Sequence, residues 1–153
     1  MGARVELPGL GVIGMLSIYM QVSSGLNETN VKLLASAAIW QDHYQIPILM
    51  AGDLNMNPKH IQYHDYVQRA GMLVTTPTTT TFRTKTPQSC VDYFAHNSCL
   101  EHVIYTHHVH EYYPLSPHRP VSIRITADKN FTVPVLCKPQ RLPTKPVFRP
   151  KWP

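Results

Sequence analysis

Charge is scarce in this chain: only 15% of its residues are Asp, Glu, Lys or Arg. The formal excess of +5 is confined to the C-terminus, where Lys138, Arg141, Lys145, Arg149 and Lys151 occur without an acid. The other nine basic residues are matched by nine acids, which weakens the case for a broad basic nucleic-acid face on the body. Cysteine is scarcer still. Cys90, Cys99 and Cys137 are odd in number and share no metal-type spacing, which argues against a closed disulfide framework and fits reduced thiols in an intracellular protein. Long hydrophobic runs are missing too. No stretch reaches the ~20 apolar residues of a membrane helix, so no membrane partner is expected. The segment from Leu7 to Val22, preceded by Arg4, superficially looks like a leader peptide, but Pro8, Gly9, Gly11 and Gly14 interrupt it and it reads better as a buried strand. Asn27-Glu28-Thr29 and Asn130-Phe131-Thr132 match a glycosylation pattern that has meaning only in a secreted chain.

What is present suits one folded domain. The 153 residues are 43% hydrophobic, enough for a packed core. Leu10 to Tyr19 reads as a buried strand. Asn27 or Asn30 can cap a helix running to about Tyr44, with Val31, Leu34, Ala35, Ala38 and Ile39 as its buried stripe. Ile48 to Ala51 is a short apolar run of the kind found in sheet cores. A helix from about His60 to Ala70 is closed by Gly71. The threonine-rich stretch Thr75 to Thr84 favours strand through its branched β-carbons. Val91 to Ala95, Val103 to Thr106 and Val121 to Thr126 read as further strands. Helices and strands alternate early and strands dominate late, which places the chain in the α/β (α+β) class. From Pro134 to Pro153 six prolines interleave with single basic residues, the composition of an extended, disordered tail that could meet a phosphate backbone or an SH3-type groove.

Three segments hold residues suited to chemistry. Gly52-Asp53-Leu54-Asn55, with Asn57-Pro58, follows an apolar strand and sets a carboxylate beside a carboxamide, oxygen groups that can face a metal or a phosphate. Taken alone, the tetrapeptide is more often an Asx-turn. Ser89-Cys90-Val91-Asp92-Tyr93-Phe94 carries one acid inside an apolar run. That acid either is satisfied at a sheet edge or orients a histidine. Ser116-Pro117-His118-Arg119-Pro120-Val121 fixes a histidine at a strand entrance. Alone it is an ordinary loop histidine; in company it can act on a phosphate.

In this order the three segments resemble the endonuclease/exonuclease/phosphatase superfamily, with its GD(F/L/W)N-x-x-P, (I/L/V)DY and S-D-H-x-P-V motifs. The overall likeness is greatest to endonuclease domains of non-LTR retroelements. Ser17-Ile18-Tyr19 resembles the strand that ends in the family's active-site tyrosine, and Thr80-Thr81-Phe82-Arg83 the Thr-Phe segment before the DY strand. The likeness spans residues 10–127. It implies a DNase I-like β-sandwich with outer helices, represented in part by about one sheet and its helices. It also implies a Mg²⁺- or Mn²⁺-dependent phosphodiester hydrolase, with nucleic acid as the substrate class. Position by position, Asp53 matches the water-orienting base and metal ligand, and Asn55 the phosphate donor. Asp92 matches the acid that fixes the catalytic histidine, His118 that histidine, and Tyr19 the phosphate-binding or leaving-group residue.

The sequence also departs from the pattern. Pro117 stands where the family carries a metal-holding aspartate, and proline cannot ligate. Only eighteen residues precede Tyr19, so the family's N-terminal half, with its metal-binding glutamate and catalytic asparagine, has no counterpart. Glu6 is not assigned to that role. The expectation is a truncated domain, weak or inactive alone, with a bare apolar sheet face prone to self-association. The rival reading is a non-catalytic remnant or binding module of the same fold. His102, His107, His108 and His110 cluster without a nearby ligand set for zinc beyond Glu111, and read as a polar loop.

Overall fold

A computed structural model describes residues 1–22, 25–83, 88–112 and 116–126. The proline-rich segment 134–153 and Cys137 lie outside the described residues. Among the described residues thirteen elements follow one another: β1 (Gly2–Leu7), β2 (Gly11–Tyr19), α1 (Glu28–Tyr44), β3 (Ile48–Asp53), α2 (Pro58–Gln62), α3 (Asp65–Arg69), β4 (Met72–Thr75), β5 (Phe82–Arg83), β6 (Gln88–Ser89), β7 (Asp92–Asn97), a 3₁₀ helix (Ser98–Val103), β8 (Ile104–Val109) and β9 (Val121–Ile125).

Five strands form one sheet in the order β1-β2-β3-β7-β4. The β2–β3 pair is parallel, its crossover made by α1, and the other neighbours are antiparallel. The interrupted N-terminal run resolves into two strands rather than one. Pro8, Gly9 and Leu10 turn the chain so that β1 pairs with β2.

The sheet is packed on both faces, by different partners. Leu16, Ile18 and Met20 of the β2 segment, with Ile48 and Met50 of β3 and Tyr93 and Ala95 of β7, pack against the helices. Ile13 and Leu49 face the opposite way and meet Leu100 and Val103 of the 3₁₀ helix, with Ile104, Ile123 and Ile125 of the β8–β9 hairpin against them. The sheet's second face, expected to be bare, is therefore partly roofed by that hairpin. Between them lies a cavity of about 730 Å³ with largely apolar walls, among them Met15, Leu49, Phe94, Val121 and Ile123.

Three local expectations are corrected. Helix α1 starts as read, with Asn27 Oδ1 accepting from Asn30 N–H at 2.8 Å. Its buried residues, however, are Asn30, Leu34, Ala37, Ala38 and Gln41. Ala35 is exposed, and Ile39 is 71% exposed. Asn30 can be inward because its side chain bonds Gln21 N, Gln21 O and Gly25 O, so the buried carboxamide is satisfied. The helix expected over His60 to Ala70 is two short helices broken at Tyr63-His64, because the His64 ring accepts from Tyr66 N–H and starts a new one. Gly71 does take the left-handed φ of 61°. The threonine stretch is strand only at its ends, in β4 and β5.

The α1 correction is checked by a pair of substitutions. Leu34→Ala is expected to cost about 2–5 kcal/mol in urea denaturation, and Ile39→Ala no more than about 0.5 kcal/mol. The reverse ranking would restore the face read from periodicity.

Candidate active site

The strand registers assemble the site. Tyr19 is opposite Asp53 across β2 and β3, and Asp53 is opposite Asp92 across β3 and β7. The three form one transverse row at the end of the sheet. By strand alternation Asp53 shares its face with Leu49 and Ala51, and Asp92 with Phe94, the face that looks toward the hairpin. Gly52 makes this possible. A Cβ there would sit 1.8 Å from the Ile18 carbonyl oxygen, and its φ of 151° suits glycine alone.

His118 enters from the loop before β9. The Ser116–Pro117 peptide is cis. Arg119 N–H donates to Thr81 O at 2.7 Å and Arg83 N–H to Pro117 O at 3.0 Å, while Phe82 bridges His118 and meets its ring edge-on at 4.8 Å. Held there, the His118 Nδ1 lies 3.0 Å from Asp92 Oδ2 and 3.2 Å from Oδ1. Its Nε2 points the other way, 3.7 Å from Asp53 Oδ2. One imidazole thus spans two carboxylates, with about 15–20% of either acid's side chain exposed.

The two acids are in different circumstances. Asp92 has both oxygens turned to His118 Nδ1. Asp53 accepts from Asn55 N–H through Oδ1 at 3.1 Å and keeps Oδ2 toward the open side. Burial holds the Asp53 carboxyl above its ordinary value. The Asn55 amide pulls it down, the Asp92 charge pushes it up and His118 lowers it again, with burial the largest influence.

Asn55 has a left-handed φ of 45° and stands next to Asp53, yet its Nδ2 donates to Met20 O at 2.8 Å. Its carboxamide thereby ties the end of β2 to the loop after β3. Tyr19 is 65% exposed beside the row. Tyr93, the tyrosine of the DY pair, is core: its hydroxyl donates to Met56 O. Glu6 pairs with Val12 at the far end of β2, roughly 23 Å from Tyr19 at ~3.3 Å per residue, so the sheet carries it away from the site.

Asp53, Asp92 and His118 are the one cluster among the described residues in which three ligand atoms fall within 4.8 Å of one another. Two carboxylates and an imidazole suit a divalent cation, and Asp53 Oδ2 is the oxygen least committed elsewhere. The histidine cluster does not compete. His108 and His110 share a face with rings 4.7 Å apart, and His110 bonds Ser122. Sequence reading missed how Thr81 and Arg119 serve the site. In the sequence Thr81 shows only strand propensity and a place in a Thr-Phe segment; its hydroxyl bonds across the fold, which no local pattern displays.

No protein-family model matches the sequence, and none of the curated proteins does. Solved structures do. The endonuclease domain of TRAS1, a telomere-specific non-LTR retrotransposon, superposes with a TM-score of 0.60 at 15% identity, over 81% of this chain and 68% of that one. An endonuclease/exonuclease/phosphatase family protein from Leptotrichia buccalis gives 0.59 at 12% identity, over 82% and 53%. The Neisseria 3′ phosphatase NExo bound to product DNA hairpin gives 0.55 at 11% identity, over 80% and 63%. The chain thus has, in part, the endonuclease/exonuclease/phosphatase fold, and it spans between about half and two thirds of the length of the structures it matches.

The raised Asp53 carboxyl has a consequence for stability. The native state binds that proton more tightly than the unfolded chain, so stability falls as pH rises between the ordinary and the raised value. Asp53→Asn keeps the shape without the charge. In metal-free buffer its melting temperature is expected to exceed the wild type's at neutral pH and to converge with it at acid pH. A variant that melts lower at neutral pH would show that the Asp53 charge is stabilising.

Proposed function

We propose that this chain carries the catalytic end of a metal-dependent phosphodiester hydrolase, endonuclease-like, acting on nucleic acid. The observation that supports it most is the line Asp92–His118–Asp53, in which one carboxylate holds an imidazole whose other nitrogen faces a second carboxylate with a free oxygen. Two neighbours of similar fold, a retrotransposon endonuclease and a phosphatase bound to a DNA hairpin, support the substrate class.

In this reading Asp92 accepts from Nδ1–H and fixes the tautomer, leaving Nε2 directed at a phosphate above Asp53. Asp53 orients a water and takes its proton as the water oxygen attacks phosphorus and the phosphorus–oxygen ester bond breaks. In its imidazolium form, with Nδ1–H held by Asp92, His118 donates from Nε2–H to the phosphoryl oxygens and stabilises the charge there. Tyr19, exposed in the same row, binds the phosphate or protonates the departing oxygen. Asn55 steadies the Asp53 carboxylate through its N–H, and its Nδ2, with one hydrogen on Met20 O, has a second to offer a phosphate oxygen. A Mg²⁺ or Mn²⁺ ion on Asp53 would supply charge neutralisation. Because Asp92 is engaged with His118 and position 117 is proline, that ion is held weakly and turnover is slow. The same facts favour a second reading, a binding module that keeps the fold with little chemistry. An intracellular site of action draws support from the odd cysteine count.

Supercoiled plasmid with Mg²⁺ or Mn²⁺ tests the proposal. The chain is expected to nick it slowly, and His118→Ala and Asp53→Ala to lower the rate by about 10²–10⁴-fold. Folded wild-type protein that leaves the plasmid intact would favour the binding module.

A further inference from the structure

Thr81 lies outside every contact a substrate could make: it is 0% exposed. Its hydroxyl oxygen accepts two backbone hydrogen bonds, from Val91 N–H and from Asp92 N–H, each at 3.0 Å. Its own N–H donates to Ser89 O at 3.0 Å, and its carbonyl accepts Arg119 N–H at 2.7 Å. A single buried residue is thus bonded to the backbone of Asp92 and to the residue beside His118. The next two residues continue the contact, Phe82 bridging His118 and Arg83 N–H donating to Pro117 O.

We infer that Thr81 is a positioning residue that sets Asp92 and His118 in register with each other, a role that rests on the reading of these two as a working pair. The chemistry requires a hydroxyl. Two converging N–H groups need an acceptor with two lone pairs on a short side chain, which Thr and Ser provide and Val does not. Asp92, in β7, and His118, in the loop ahead of β9, sit 26 residues apart, and β7 and β9 belong to different sheets. No ladder of hydrogen bonds joins β7 to β9, so their relative position depends on a third element. Thr81 is bonded to both segments. A valine here keeps the volume but leaves the Asp92 amide without its acceptor, and the carboxylate is free to drift from Nδ1. A misplacement of about 1 Å in such a constellation lowers turnover by roughly 10²-fold.

The experiment compares wild type, Thr81→Val and Thr81→Ser, each confirmed folded by circular dichroism. Nitrogen-15 NMR of the His118 ring is recorded at one fixed pH where the ring is neutral, alongside plasmid nicking. Wild type and Thr81→Ser are expected to hold the proton on Nδ1, and Thr81→Val to show a mixture with Nε2–H. Nicking by Thr81→Val is expected to fall about 10²-fold in kcat with KM little changed, rescued in Thr81→Ser. The ring signal is read without turnover, so the two claims separate. A Thr81→Val protein with the wild-type tautomer and rate overturns the positioning role alone. A wild type without the Nδ1–H tautomer overturns the Asp92–His118 pair and this inference with it. Should Thr81→Val fail to fold, amide exchange in wild type decides: an Asp92 N–H exchanging as fast as an exposed loop amide contradicts the bond to Thr81, and a protected one supports it.

Discussion

Everything at the candidate site depends on the register of three strands. Tyr19, Asp53 and Asp92 occupy one row because β2, β3 and β7 pair as they do. A slip of one residue in any pair would turn a carboxylate to the helix face, where Met50, Leu54 and Tyr93 are packed. The register is pinned from both sides. Alternating apolar residues bind one face to α1, α2 and α3 and the other to the hairpin, and Gly52 permits the approach of β3 to the Ile18 carbonyl. Asn97 adds a polar pin: its carboxamide accepts from Ile48 N–H and donates to Ala70 O, joining β7 to β3 and to the turn after α3. The row is thus a product of core packing, and His118 is added to it by the loop ahead of β9.

Much of this is visible in the amino-acid order, for physical reasons that differ by element. The strands Ile48 to Ala51 and Val121 to Thr126 are legible because burial on one or two faces writes a period of two or a continuous apolar run. The start of α1 is legible because an Asn cap must precede it. Its buried face is not, since Asn30 and Gln41 point inward and Ile39 outward. Polar residues read as solvent-facing unless their partners are known, and the partners of Asn30 lie in the loop before the helix. The break at His64 was equally hidden, because it depends on a ring nitrogen capping Tyr66. At the site, the residues that touch each other were identifiable by motif and order. The residue that holds them, Thr81, was not, because its bonds reach ten and eleven residues along the chain through backbone amides.

The site is economical to the point of being short of charge. Three ligand-bearing residues converge, but the Asp92 carboxylate is turned to a histidine and proline occupies position 117. Asp53 is left with the one carboxylate oxygen turned to the open side, in a setting where burial raises its pKa. The apolar cavity beside it is lined by Met15, Leu49 and Phe94 as well as by the three site residues. The candidate site and incomplete packing therefore meet at one end of the same sheet, and anything that fills the cavity will bear on Asp53.

The most direct test of the central claim, that Asp53, beside Asp92 and His118, holds a divalent cation, is a Mn²⁺ titration followed by NMR line broadening. Paramagnetic broadening is expected to centre on Asp53 and to reach Asp92 and His118 at low ion excess, and to vanish in Asp53→Ala. Broadening that begins at His108 and His110 and spares Asp53, or none at all with the protein folded, would contradict it.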